Sequence, residues 1–170
     1  MLIYKDIITG DELLSDSYDL KFNGAVIEAD CAMIVEGEVE INIGANASAE
    51  ETEETGGNNE VMKVNNIVHS FRLQSTNFDK KSYKLYIKGY LKRVRAKLVE
   101  NGATEEAIKT FEKETGEFYT QTLIPDFAKY EFFTGESMDP DGMVVLLNYR
   151  PDNVTPYVII WKHGVEAMKV

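Results

Sequence analysis

The chain has 170 residues, 44 % of them hydrophobic and 28 % charged, and a net charge of −11 at pH 7. That length suits one domain, 1–170, burying roughly 70 % of its unfolded surface without a disulfide or metal staple. The negative balance disfavours direct nucleic-acid binding, which needs concentrated positive charge. A lone cysteine, Cys31, excludes an internal disulfide.

The opening MLIYKDIITGDE has one lysine, no apolar run of signal-peptide length and no small-residue cleavage site, so no secretory leader is expected. No stretch of about 18 apolar residues predicts a membrane span. These features point to the cytoplasm, where the sequon Asn46-Ala47-Ser48 meets no glycosylation machinery. Ile and Tyr content predicts a strand over residues 1–8, and Thr9-Gly10-Asp11-Glu12 reads as a turn. Short strands are expected at 20–22, 26–33 and 39–43. The tract 45–60 lacks apolar periodicity and hydrophobic surface, which predicts a mobile acidic loop.

Alternation over 61–74, with Ile67, His69, Phe71 and Leu73 on one face, predicts a long strand. Thr76 or Asn77 can cap a helix with Asp79 in its first turn. Tyr83, Ile87, Tyr90, Val94 and Leu98 then form an apolar stripe, and Lys84, Lys88, Lys92 and Arg95 a basic one. Asn101-Gly102 ends this helix and Thr104 can cap a second over 105–123, stopped by Pro125. The two make an antiparallel hairpin at about 77–124. Strands follow at 130–134, 143–149 and 157–163, joined by Asp139-Pro140-Asp141-Gly142 and Pro151-Asp152-Asn153 turns. The expected class is α+β, mainly antiparallel.

Charge is segregated along the chain. Residues 36–60 hold eight glutamates and no Lys or Arg, whereas residues 80–97 hold eight Lys or Arg and no acid. Such a run of positive charge suits an acidic partner. Enzyme signatures are missing: no G-x-x-x-x-G-K-[ST], G-x-S-x-G or H-E-x-x-H occurs. His69 and His163 read as half-buried, hydrogen-bonded histidines on strand faces. Cys31 has no basic neighbour or helix start to lower its pKa and reads as a core thiol. The carboxylates of Glu136, Asp139 and Asp141 fit a hairpin turn better than a calcium loop.

IGANASAEE with the acidic tract after it, and FAKYEFFTGESMDPDGMVVLLNY, resemble the two signatures of the translationally controlled tumour protein family. MLIYKDIITGDELLSD, NNIVHSFRLQSTNFDKKSYKLYIKGY and NVTPYVIIWKHG resemble it too, so the likeness covers nearly the whole chain. It implies a tent-like β core, a projecting helical hairpin and a mobile loop, in a fold similar to the zinc-binding Rab chaperones and methionine sulfoxide reductases. The paired cysteines of both are absent here. The family's loop serine, just before Ile43, is also missing, since Ile41 and Asn42 stand there.

The resemblance implies a non-enzymatic cytoplasmic protein, partly cytoskeletal and requiring no cofactor. Its implied partners are small GTPases, translation elongation factors, the ribosome and tubulin or microtubules, with roles in growth and stress protection. A monomer is expected. It places GTPase contact at Glu12 and a weak calcium site at Asn46, Glu131 and Asp141. The alternatives are a low-affinity calcium-binding protein and an enzyme acting through Cys31.

Overall fold

The computed structural model describes residues 1–35 and 63–170. The predicted strand at 39–43 and the acidic tract at 45–60 lie outside the described residues. In chain order the elements are β1 (Leu2–Asp6), β2 (Glu12–Ser15), β3 (Leu20–Asn23), β4 (Val26–Asp30), β5 (Met33–Val35) and β6 (Lys63–Asn65). Next come α1 (Asn66–Ser70), β7 (Gln74–Thr76), α2 (Lys80–Glu100) and α3 (Glu105–Phe118). The last four are β8 (Glu131–Thr134), β9 (Val145–Tyr149), β10 (Pro156–Trp161) and β11 (Val165–Lys169).

Every described strand pair is antiparallel. A six-stranded sheet runs β3-β4-β10-β9-β8-β7, a three-stranded sheet runs β11-β1-β2, and β5 pairs β6. The fold is therefore α+β and mainly antiparallel, with a helical hairpin between β7 and β8. Val26 and Ile27 of β4, Val145 to Leu147 of β9 and Val158 to Trp161 of β10 are all buried. These central strands are covered on both faces, so they read as apolar runs without alternation.

The hairpin is fastened to this core by its first helix. Asp79 caps α2 in a capping box, accepting from the Ser82 N–H at 2.7 Å while Ser82 Oγ accepts from the Asp79 N–H at 3.1 Å. Tyr83, Ile87, Tyr90 and Val94 are buried along one side of the helix. Ile87 and Val94 contribute about 1.5–3 kcal/mol each when fully buried. The buried hydroxyls of Tyr83 and Tyr90 have no hydrogen-bond partner among the described residues, which offsets part of the gain from their rings. The Tyr83 ring meets Phe78, Tyr86, Phe127 and Phe132 at 5.4 to 5.7 Å, which locks the helix start onto β8.

Residues 135–144 join β8 to β9 and knit three elements together. Asp6 Oδ2 accepts from the Met143 N–H at 2.8 Å, and its Oδ1 from the Ile8 N–H at 2.8 Å. Asp11 Oδ2 accepts from Ser137 Oγ at 2.6 Å. From α2, the Tyr86 hydroxyl donates to Gly142 O at 2.6 Å and accepts from the Val144 N–H at 2.9 Å. Arg93 Nε donates to Asp141 O at 3.0 Å. Gly142 leaves room for this: a Cβ there would stand 2.6 Å from Thr9 Cγ2 and 2.9 Å from Asp6 Oδ2.

Several expectations are corrected. The long strand at 61–74 is β6, a helical turn and β7, because Asn65 caps α1: its Oδ1 accepts from the Ile67 and Val68 N–H groups at 3.0 and 3.1 Å. His69 therefore stands exposed on α1, off any strand face. The strand at 26–33 breaks at Cys31-Ala32 into β4 and β5. Asp79 caps α2, where Thr76 or Asn77 was expected. Glu12 opens β2, and neither β2 nor β11 was anticipated. The second helix does reach Leu123, but its last five residues, Tyr119–Leu123, wind as a π turn. The final predicted strand stops at Trp161, and His163 sits in the 3-10 turn Lys162–Gly164.

Asp6 gives the fold a signature in pH. Burial raises its carboxyl above the ordinary range, opposed by the Met143 and Ile8 hydrogen bonds. A raised folded-state value means that its stabilisation is complete below about pH 3.9 and is lost as pH rises through the raised value. The unfolding free energy of wild type minus that of Asp6→Asn, measured in urea, should therefore shrink from about pH 4 to pH 7. A difference that is flat or grows with pH would contradict this assignment.

Candidate interaction surface on the helical hairpin

The docking of α2 decides what the helix shows to solvent. With Tyr83, Ile87, Tyr90 and Val94 turned inward, the 3.6-residue period leaves Lys84, Lys88, Lys92 and Arg95 exposed. The four cations run for about 16 Å along the helix, at 1.5 Å per residue. Among the described residues, Lys84, Lys88 and Lys92 have no carboxylate partner, whereas Arg95 Nε donates to Glu112 Oε2 of α3 at 3.0 Å. Arg93, which the sequence also places in this run, is turned to the loop and its Asp141 carbonyl. The surface is a row of solvated cations on a rigid support.

Beside the row, α2 and α3 leave an open groove of about 290 Å³, lined by Leu91, Phe111, Thr115 and Gly116 together with Lys88, Lys92, Arg95 and Glu112. Sequence reasoning missed this feature. Leu91 falls beside the apolar stripe and off it, and its groove partners lie some twenty residues further on. The one available signal was Gly116, a glycine inside a helix, where alanine is preferred.

The other predicted residues are dispersed. Glu12 is exposed at the start of β2, which is the edge of the three-stranded sheet and faces Lys5 of β1 in register. Its neighbour Asp11 is tied to Ser137, so this edge abuts the 135–144 connection. Glu131 opens β8 opposite Leu147, whereas Asp141 belongs to the connection at the other end of the β8–β9 ladder. Asp141 also lies 3.9 Å from the Arg93 guanidinium. Asn46, the third member of that set, is outside the described residues. The structure does not bring Glu131 and Asp141 together, and among the described residues no three His, Cys, Asp or Glu gather as a metal would need.

Cys31 is 7 % exposed, and burial pushes its thiol up, which keeps it protonated and a poor nucleophile. His163 is half-buried with its ring 5.2 Å from that of Phe111. Burial lowers its pKa, and Nδ1 has no hydrogen-bond partner among the described residues, where a bonded one was expected. Among the described residues, no helix is long and apolar enough to cross a membrane.

Fold and surface together define an antiparallel α+β domain carrying a basic helical hairpin. The family model for the translationally controlled tumour protein matches residues 1–166. Curated homologues of that name from Gibberella zeae and Neurospora crassa are 66 % and 60 % identical over 171 residues, covering all of both chains. Among solved structures, the Schizosaccharomyces pombe translationally controlled tumour-associated protein p23fyp superposes with a TM-score of 0.80 at 50 % identity, covering 100 % of both chains. The Caenorhabditis elegans protein gives 0.71 at 32 % identity, covering 100 % of this chain and 99 % of that one. The chain belongs to the translationally controlled tumour protein family.

Proposed function

We propose that this chain is a non-enzymatic interaction protein of the cytoplasm, partly associated with the cytoskeleton, that serves protein synthesis and binds and stabilises microtubules. On this reading its partners are small GTPases, elongation factors, the ribosome and tubulin, and it contributes to growth and stress protection. It works as a monomer without a required cofactor or direct nucleic-acid contact. The observation that carries the reading is the exposed row of Lys84, Lys88, Lys92 and Arg95, three of them without a carboxylate partner among the described residues. A fixed row of cations attracts acidic segments, such as a tubulin tail or an acidic elongation-factor surface, and speeds their association.

The test is a double charge reversal, Lys88→Glu with Lys92→Glu. Affinity for a tubulin-tail peptide should fall, and the steep loss of binding with added salt should flatten. Melting should be unaltered, because exposed charges contribute about 0–1 kcal/mol to stability. Unchanged binding at low salt would reduce the row to a solvated helix face.

GTPase contact is assigned to Glu12, at an exposed sheet edge braced by the Asp11–Ser137 hydrogen bond. If a partner desolvates this carboxylate against a lysine or arginine, Glu12→Val should cost about 2–5 kcal/mol of binding. Equal affinities of wild type and variant across a panel of cytoplasmic GTPases would remove Glu12 from the interface.

The alternative is weak calcium binding by Asn46, Glu131 and Asp141, on the order of 10⁻⁴–10⁻³ M. The separation of Glu131 from Asp141 along the β8–β9 ladder lends it no support. An NMR titration to about 10 mM calcium that shifts all three signals together would revive it, and none shifting would end it.

A further inference from the structure

No steric conflict requires Gly116 to be glycine. It lies within α3, its φ is not positive, and a Cβ built on it would meet nothing within 4 Å. Glycine in a helix interior is disfavoured relative to alanine. The missing side chain instead gives depth to the groove between α2 and α3. It is lined by Leu91, Phe111, Thr115 and Gly116 together with Lys88, Lys92 and the Arg95–Glu112 ion pair. At about 290 Å³ the groove falls just below the ligand-pocket range, roughly 300–1,000 Å³, a size for one anchoring side chain and not for a whole ligand.

We propose that this groove and the lysine row form one bipartite site for an acidic peptide segment carrying a single bulky apolar residue. This rests on the reading that the row meets acidic partners, and it adds what selects among them. The partner's carboxylates pair with Lys84, Lys88 and Lys92, and its leucine or phenylalanine enters the groove over Gly116. Charge alone treats every acidic tail alike, whereas an apolar anchor discriminates by the area it removes from water. A peptide is favoured over an anionic membrane by the rest of the hairpin. Glu105, Glu106 and Glu112 are exposed on α3, and Glu112, which lines the groove, is neutralised by Arg95 at 3.0 Å. A flat anionic surface spread over both helices would therefore meet α3 carboxylates that a narrow peptide lying along α2 avoids.

The experiment uses two fluorescent acidic peptides that differ only in a central Phe or Ala, titrated by anisotropy against four proteins. These are wild type, Lys88→Glu with Lys92→Glu, Gly116→Ala and Gly116→Leu. Wild type should bind the Phe peptide about tenfold or more tightly than the Ala peptide. Gly116→Leu fills the groove and should abolish that preference. Its melting temperature should equal or exceed that of wild type, since leucine is the better helix former and finds open space. Gly116→Ala should keep part of the preference. Charge reversal should weaken both peptides alike.

Equal binding of the two peptides by wild type, or a preference that survives Gly116→Leu, would overturn the groove assignment and leave the lysine row standing. Charge reversal without effect on either peptide would overturn the row itself. Self-association in sedimentation velocity that Gly116→Leu disperses would assign the groove to a second copy. Binding to phosphatidylserine vesicles lost in the same variant would assign it to lipid. Either result would overturn the peptide proposal.

Discussion

Asp6 and Tyr86 grip the same short piece of chain, residues 142–144, from two different elements. The Asp6 carboxylate takes the Met143 N–H, while the Tyr86 hydroxyl bridges Gly142 O and the Val144 N–H. A buried backbone group that loses its partner costs about 1–3 kcal/mol, so these bonds matter most for what their absence would cost. Through them the turn after β1, the connection before β9 and the first helix of the hairpin hold one relative position. Gly142 permits the approach, because a side chain there would run into Thr9 and Asp6.

The orientation of the basic face follows from that grip. An α-helix with one apolar stripe can roll on its support, and a roll would carry the lysines toward the core. Tyr86 and Arg93, bonded to the connection at the Gly142 and Asp141 carbonyls, pin α2 against rolling. Lys84, Lys88, Lys92 and Arg95 then face solvent on a backbone that is already ordered, so a partner has only their side chains to immobilise, at about 0.5–1.5 kcal/mol each. In a molecule of net charge −11, such a row is a local exception, and on the proposed function it is what would attract acidic segments.

The hairpin was legible in the sequence because its signals are local. The period of Tyr83, Ile87, Tyr90 and Val94, the Asn101-Gly102 stop and the Thr104 cap all act within a few residues. The stretch 61–74 misled because alternation also fits a chain that turns. The Asn65 cap, Arg72 in the left-handed region at φ 55° and a three-residue β7 replace one long strand. β2 escaped notice because Leu13, Leu14 and Ser15 are all buried and so do not alternate, and β11 because its last four residues are all exposed. The groove was invisible for a different reason. It exists only where Leu91 and Gly116 line one gap between two helices, and no pattern within either helix encodes that gap.

The central claim is that acidic partners meet this protein on the exposed face of α2. Its most direct test is chemical-shift mapping of the isotope-labelled protein during titration with an acidic tubulin-tail peptide at low salt. The account predicts perturbations centred on Lys84, Lys88, Lys92 and Arg95, spreading to the facing residues of α3 and fading as salt is added. Perturbations centred on the β2 edge around Glu12, or none at saturating peptide, would contradict it.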